Sequence, residues 1–434
     1  MNATLSLGQL YTLSTAAISS KSYVHRLLIA AALSKREGVE VKTNIVSKDM
    51  EATVECLNAL GASIKIKENA FLVEKGISFV DKAVLDCKES GSTARFLLPL
   101  ATFLCKEVTL TGEGKLPQRP FEPLNNTLRE KGINISSDYL PLKACGDLKS
   151  GVYSIPGDVS SQFISGLLFV LPLLEGDSRI ELTTALESKG YVDMTMDVLS
   201  GFGINIIPSE FGYTIPGGQV YHCPERIEAE GDWSNSGYLL CMGALGRGVT
   251  LTGLRADSMQ QDKEVIKILQ SFGAEVIVNE DEVTLKASKY KGIDVDATNI
   301  PDLIPALCVV AAYADGVSTF HNVGRLRIKE SDRIKAIEHI MEQIGVKTKV
   351  SENGEVTDLL IFGKGGGQMR EEFFTSADEI CFDGFGDHRI VMAEAATVLR
   401  EKSLIRIKGA EAVNKSFPGF FEVISKMGIC VTEE

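Results

Sequence analysis

One pattern occurs six times in this chain. An apolar helical segment opens on polar or charged residues at Lys21-Ser22, Gly91-Ser92, Ser160-Ser161, Asp232-Trp233-Ser234, Pro301-Asp302 and Asp387-His388. The starts recur about every 70 residues, with a longer last interval. Each is followed by a more polar helical pattern that ends near a glycine: Gly61, Gly132, Gly203, Gly273, Gly345 or Gly428. The first helix of each copy is apolar nearly all round, as in Leu27 to Leu33, Phe96 to Leu104, Leu167 to Leu174 and Leu303 to Tyr313. Such a helix must be buried on every side. The second is amphipathic: Val265, Ile268, Leu269 and Phe272 follow i, i+3, i+4, i+7, as do Ile334, Ile337, Met341 and Ile344 at compatible spacing. The glycine suits a left-handed helix C-terminus, and alternating strands follow, such as Ser63 to Ile66 and Val346 to Val350.

One copy cannot bury its own apolar helix, but three packed together can, with helices inside and sheets outside. The chain therefore reads as α/β, with two lobes of three similar units each. Cys223 to Arg226 lies between the third and fourth copies. The stretch before Ser19 is free to pair as a strand with the C-terminal lobe. The expected division is residues 20–228 against residues 1–19 with 229–434.

The pattern also predicts where chemistry lies. Helix N-termini carry free N–H groups and the positive end of the dipole, so gathered helix starts favour an anionic ligand. The net charge is −13, from 45 basic and 58 acidic residues. That balance excludes a general affinity for nucleic acid, so an anion must be held by a local cation cluster. Such a cluster stands at Arg325, Arg327, Lys329, Glu330, Asp332 and Arg333, just before an amphipathic helix. Cations are disfavoured at a helix start unless they share an anion with it. Arg389 in the first turn of an apolar helix makes the same demand, because an unpaired buried charge is costly. So does Lys21-Ser22 with Arg26. Ser160-Ser161-Gln162 supplies neutral donors, and Arg119-Pro120 suits a helix start at its first position. Nine dispersed cysteines without a C-x-x-C read as reduced thiols. Five histidines without His-x-x-x-His spacing give no support for a metal. The most apolar stretch, Phe163 to Leu174, is too short to span a bilayer and reads as a buried helix.

From about Ser20 to the C-terminus the chain resembles the 5-enolpyruvylshikimate-3-phosphate synthase family. The carriers are Ser20-Lys21-Ser22 with Arg26, Ser90 to Thr93 with Arg95, Gln118-Arg119-Pro120, Ser160 to Phe163, Glu187 to Lys189 with Tyr191, Gly231-Asp232, Ser258 to Gln260, Ile300 to Asp302, Arg327 to Arg333, Asp387 to Arg389 and Asn414 to Pro418. The resemblance implies two lobes that close on shikimate 3-phosphate and phosphoenolpyruvate, without metal or cofactor, in a cytoplasmic monomer. It places Lys21, Ser22, Arg26, Ser160, Ser161, Gln162, Ser188, Tyr191, Asp302, Arg325 and Lys329 at shikimate 3-phosphate. It places Lys21, Gly91, Arg119, Gln162, Arg333, Arg389 and Lys415 at phosphoenolpyruvate, in the pocket where the family takes glyphosate. Asp302 is then the base, Glu330 the acid, with Lys21 and His388 also catalytic. Glu89, Ser92, Ile18-Ser19, His25, Arg325 and Gly386 depart from the family's usual residues. Two other readings are a sister enolpyruvyl transferase acting on UDP-N-acetylglucosamine and a non-catalytic sensor of phosphorylated metabolites. The first commonly has a reactive cysteine where the loop Gly112 to Arg119 has none. The second does not account for two acids among anion ligands.

Overall fold

The computed structural model describes residues 1–354, 356–365, 379–401 and 403–434. Helices alternate in character along the chain. The buried class is α1 (Lys21–Leu33), α3 (Gly91–Leu104), α5 (Ser161–Val170), α7 (Trp233–Leu245), α9 (Ile304–Ala312) and α11 (His388–Thr397). Between them come α2 (Lys48–Ala59), α4 (Glu122–Glu130), α6 (Lys189–Gly201), α8 (Val265–Phe272), α10 (Arg333–Gln343) and α12 (Phe420–Ser425). The sequence accounts for the difference. Every residue of α7 and of α9 is buried, as an all-round apolar helix requires. Helix α8 buries only Val265, Leu269 and Phe272 along one stripe. The six glycines that follow the second helices are all left-handed, with φ from 69° at Gly345 to 118° at Gly273. A side chain there would strain the backbone.

The described residues form six four-stranded sheets. In residues 80–146, strand Val80–Asp86 runs through α3 into Cys105–Thr111, parallel to it; α4 and the hairpin Ile133–Ile135 and Leu142–Gly146 follow, antiparallel. The spatial order is first, second, fourth, third strand. The same arrangement recurs with strands Val152–Ile155, Ser178–Leu182, Gly212–Ile215 and Ile207–Ser209. Strands such as Val39–Lys42 alternate buried and exposed residues; one face packs on the inner helices and the other meets solvent.

The chain divides into two compact units, Ser19–Ala229 and Met1–Ile18 with Glu230–Glu434. These limits differ by one residue at each end from the expected 20–228. Strand exchange explains the split unit. Leu13–Ala16 precedes α1 in sequence but pairs in parallel with Val249–Thr252. Ile227–Glu228 precedes α7 but pairs with Val39–Lys42. Asn2–Leu7 lies antiparallel between Leu404–Lys408 and Ile429–Glu433, supplying the strand that the last repeat lacks.

Three local expectations are corrected. Helix α5 stops at Val170 and a 3₁₀ turn, Leu171–Leu173, takes over at Pro172, which has no N–H to continue the ladder. Residues 301–303 form a turn, and α9 begins only at Ile304 with Pro305 in its first turn. Pro120 is not the first helical residue of α4: Phe121 is the N-cap and Pro123 occupies the first turn. Ser160 stands at the N-cap of α5 without a side-chain cap bond. Among the described residues, no helix is long and apolar enough to cross a membrane.

Glu394 is an exception in the core of the C-terminal unit. It is wholly buried on α11, and neither carboxyl oxygen has a hydrogen-bond partner among the described residues. Burial, and then Asp383 and Asp387, push its pKa well above the usual range. A raised carboxyl favours the folded state only while the group stays protonated in both states, so this contribution is lost as pH rises from the unfolded carboxyl range through the folded pKa. Glu394→Met is expected to gain about 1–3 kcal/mol near neutral pH, the cost of an unsatisfied buried polar group, and clearly less near the unfolded carboxyl pKa. Urea unfolding at both pH values measures this; an equal or negative effect at both would contradict it.

Candidate functional site

In the N-terminal unit, polar side chains collect at the starts of α1, α3 and α5. Ser20 caps α1, and Lys21 Nζ lies 2.8 Å from Asp49 Oδ2 on α2. Arg26, one turn on, is 2% exposed. Its Nε donates to Thr195 Oγ1 at 2.8 Å, Nη1 to the Ser22 carbonyl at 2.7 Å and Nη2 to the Tyr191 carbonyl at 2.8 Å. Burial lowers its pKa to about 10, and the neutral acceptors do little to oppose this. Arg26 thus ties α1 to α6, beside Ser188, a buried residue in left-handed backbone at φ 53°. Non-glycine residues hold that conformation only where packing enforces it.

Ser90 caps α3 at Gly91, accepting from the Thr93 N–H at 3.2 Å. Arg95 points back toward this start. Its Nη1 donates to Gln162 Oε1 at 3.0 Å, and Gln162 Nε2 donates to Ser92 Oγ at 2.9 Å. The guanidinium sits over the Phe121 and Phe163 rings, 5.2 and 5.5 Å from their centroids. A methyl on Gly91 would lie 2.6 Å from Arg95 Nη1 and 2.8 Å from Arg119 Nη1. Two guanidinium groups therefore converge on one helix start. Burial and then the like charge of Arg119 hold the Arg95 pKa well below its ordinary value. An anion among Arg95, Arg119 and the α3 N-terminus would relieve that repulsion.

The C-terminal unit holds the carboxylates. Arg333, 2% exposed, grips Asp387 with two nitrogens, Nε at 2.8 Å and Nη2 at 3.3 Å, and gives Nη1 to Asp302 at 2.7 Å. Asp387 also caps α11 through the Arg389 N–H at 2.9 Å and accepts from Ser331 Oγ at 3.1 Å. Lys329 Nζ and Arg389 Nη2 each lie 3.8 Å from Asp302. Burial works to raise the Asp302 pKa, but Arg333, Lys329 and Arg389 outweigh it and hold the group well below the usual range. Arg333 is likewise disfavoured by burial, yet Asp387 and Asp302 carry it well above its ordinary value. Beside this network, His388 Nδ1 meets Glu330 Oε2 at 3.0 Å. Glu330, Asp387 and His388 place donor atoms within 4.8 Å of one another. Asp387 already accepts from Arg333, Ser331 and the Arg389 amide, so the triplet reads as a hydrogen-bonded acid–imidazole pair beside a structural carboxylate. Lys415 Nζ donates to the Gly386 carbonyl at 2.6 Å, ahead of the same helix.

Asp302, Lys329, Arg333 and Arg389 thus form one cluster, with Glu330–His388 at its edge. Gly91, Arg119 and Gln162 form another with Arg95. Arg325 lies half-buried on the 3₁₀ turn Gly324–Ile328. Arg327 instead pairs with Glu352 at 2.8 Å, on the Lys347–Asn353 strand. Four partners escaped sequence reasoning: Asp49, Thr195, Ser234 and Asn235. Arg389 reaches Ser234 Oγ and Asn235 Oδ1 at 2.6 and 3.1 Å. Asp232-Trp233-Ser234 was visible as a helix start, but nothing local linked it to Arg389, more than 150 residues away.

Units of three repeats, with guanidinium and carboxylate groups at the starts of buried helices, have features suited to a small anionic ligand. The EPSP synthase (3-phosphoshikimate 1-carboxyvinyltransferase) family model matches residues 13–424. A 3-phosphoshikimate 1-carboxyvinyltransferase from Clostridium kluyveri is 43% identical over 415 residues, 94% of this chain and 93% of the relative. One from Clostridium acetobutylicum is 40% identical over 421 residues, with 94% and 93% covered. An EPSP synthase structure from Acinetobacter baumannii has the same fold, with TM-score 0.80, 24% identity and both chains fully covered. So does the enolpyruvyl transferase NikO from Streptomyces tendae, at TM-score 0.76 and 16% identity over 99% of this chain and 98% of that one. The chain belongs to the EPSP synthase family.

Asp387→Asn should leave Arg333 with Asp302 as its carboxylate partner while keeping a side chain able to cap α11. Breaking a buried ion pair from one side costs about 3 kcal/mol or more. Chemical denaturation is expected to show this loss; an unchanged midpoint would mean the bidentate pair contributes nothing.

Proposed function

We infer that this protein transfers the carboxyvinyl group of phosphoenolpyruvate to the 5-hydroxyl of shikimate 3-phosphate, releasing phosphate. Family membership over nearly the full chain supports the activity. The observation that carries the residue assignment is Asp302, one carboxylate facing Arg333, Lys329 and Arg389, next to the Glu330–His388 pair.

The reaction has two stages. The hydroxyl adds to carbon 2 of the enol while carbon 3 gains a proton. Phosphate then leaves carbon 2 as carbon 3 loses a proton, restoring the double bond. We assign Asp302 as the base that takes the hydroxyl proton and Glu330 as the acid that serves carbon 3, with His388 fixing the orientation of Glu330 and Lys21 sharing proton transfer. Asp302 paired with three cations is a weak base. Ligand phosphate and carboxylate groups drawing on Arg333, Arg389 and Lys329 would raise its basicity at the moment the hydroxyl is in place. On this reading Ser22, Arg26, Ser160, Ser161, Gln162, Ser188, Tyr191, Arg325 and Lys329 serve shikimate 3-phosphate. Gly91, Arg119, Gln162, Arg333, Arg389 and Lys415 serve phosphoenolpyruvate. Arg26 acts largely by fixing Ser22 and Tyr191, since its hydrogen bonds go to protein acceptors. The protein works as a cytoplasmic monomer on this proposal, and light scattering tests the monomer.

A phosphate-release assay with both substrates tests the activity; release without either one, or none with both, would overturn it. Asp302→Asn should lower kcat by on the order of 10²–10⁴ while shikimate 3-phosphate still binds by calorimetry. Near-wild-type turnover would remove Asp302 from the role of base. Gly91→Ala should raise KM for phosphoenolpyruvate roughly tenfold or more, because its methyl must displace Arg119 while stacking and Gln162 restrain Arg95. KM for shikimate 3-phosphate should hold; equal losses for both substrates would contradict the placement.

A further inference from the structure

We propose that His25 is a positioning residue for the anion site at the start of α3, acting on Ser90 and Gly91 through the hydroxyls of Thr53 and Thr93. The inference rests on the reading above that Gly91 serves phosphoenolpyruvate. One imidazole and three hydroxyls form a line across three helices of the N-terminal unit. His25 Nδ1 on α1 meets Thr53 Oγ1 on α2 at 2.7 Å. Thr53 Oγ1 meets Thr93 Oγ1 on α3 at 2.6 Å. The Thr93 hydroxyl donates to Ser90 Oγ at 2.7 Å, and the Thr93 N–H donates to the same oxygen at 3.2 Å. None of the four residues is more than 1% exposed. Ser90 is the N-cap of α3, and Gly91 is its first residue.

One direction of donation satisfies every link. Thr93 gives its only hydroxyl proton to Ser90, so Thr53 must donate to Thr93. Thr53 then has no proton left for the imidazole, so His25 Nδ1–H must donate to Thr53. The Asp49 carbonyl, at 3.3 Å from Thr53 Oγ1, can only share the Thr53 proton. Burial first, then Lys21 and Arg26, hold the His25 pKa well below the usual imidazole range. The ring is therefore neutral, with its one N–H at Nδ1. Nε2 is a bare acceptor, and it has no hydrogen-bond partner among the described residues. Donors aligned in this way polarise one another, so each hydroxyl donates better for being held by the group before it. The last link fixes the Thr93 rotamer and the Ser90 cap, and with them the course of the backbone into Gly91. Little slack exists there: a methyl on Gly91 would stand 2.6 Å from Arg95 Nη1 and 2.8 Å from Arg119 Nη1. A small displacement of the helix start would change its fit to an anion held between the two guanidinium groups.

Steady-state kinetics of three His25 variants tests the proposal. Asn places its amide nitrogen where the ring has Nδ1. Gln, although longer, places it where the ring has Nε2, and Leu has no donor. His25→Gln and His25→Leu should raise KM for phosphoenolpyruvate on the order of fivefold to tenfold, with KM for shikimate 3-phosphate within about twofold. His25→Asn should stay within about twofold of wild type for both substrates. Thr53→Val should reproduce the defect, and adding His25→Leu to it should cost little more. Were the line only satisfying buried polar groups, these variants would unfold at a lower midpoint with both KM values unmoved, and that result would overturn the proposal. Equal losses for both substrates, a defect in His25→Asn as large as in His25→Leu, or additive effects of the two changes would also overturn it. If the His25 variants do not fold, Thr53→Val decides alone: wild-type KM for phosphoenolpyruvate in that variant ends the proposal. Gly91→Ala separates the two readings. An unchanged KM for phosphoenolpyruvate there would mean that the placement of that substrate fails, and the relay with it. A raised one, with His25→Leu and Thr53→Val at wild type, would mean that only the relay fails.

Discussion

The odd-numbered helices have no polar face, and most of the molecule follows from that. A helix buried on all sides must be surrounded by other elements, which repeats provide by packing three together under an outer layer of sheet. It can expose polar groups only at its ends. The N-terminal ends carry free amides and a partial positive charge, so they are where an otherwise apolar core can hold an anion. Several residues of the candidate site accordingly sit in first turns or just before them: Lys21, Gly91, Ser161, Ser234, Asp302, His388 and Arg389.

Buried cations in such places need compensation, and the two units achieve it differently. In the N-terminal unit, Arg26 and Arg95 are held by hydroxyl, amide and carbonyl oxygens and by aromatic faces, and both have lowered pKa values. Positive charge left without a carboxylate is charge available to a ligand. In the C-terminal unit, Asp387 and Asp302 compensate Arg333, while Lys329 and Arg389 also bear on Asp302. The same residues therefore set the folded geometry and the basicity of the proposed catalytic carboxylate.

Much of this was legible along the chain. Local rules identify the two helix classes, the helix starts at Lys21, Gly91, Asp232 and Asp387, and the six left-handed glycines. They misjudged Pro120, Pro172 and the turn at Pro301, because a proline marks a helix boundary without saying on which side of it the helix lies. Candidate residues were legible as residue types that need partners, such as an arginine opening an apolar helix. The identity of those partners was not.

The sequence by itself determined the repeats, the helix types, their termini and the motifs that mark the family, since periodicity and capping act between residues within a few positions of each other. Tertiary structure alone decided that Leu13–Ala16 and Ile227–Glu228 exchange places between sheets, and that Asn2–Leu7 completes the last one. It alone matched Asp387 to Arg333 across 54 residues, and Ser234 to Arg389 across 155. Such pairings depend on which helix starts packing brings within about 3 Å of each other, the reach of a hydrogen bond, and no rule of local spacing carries that information.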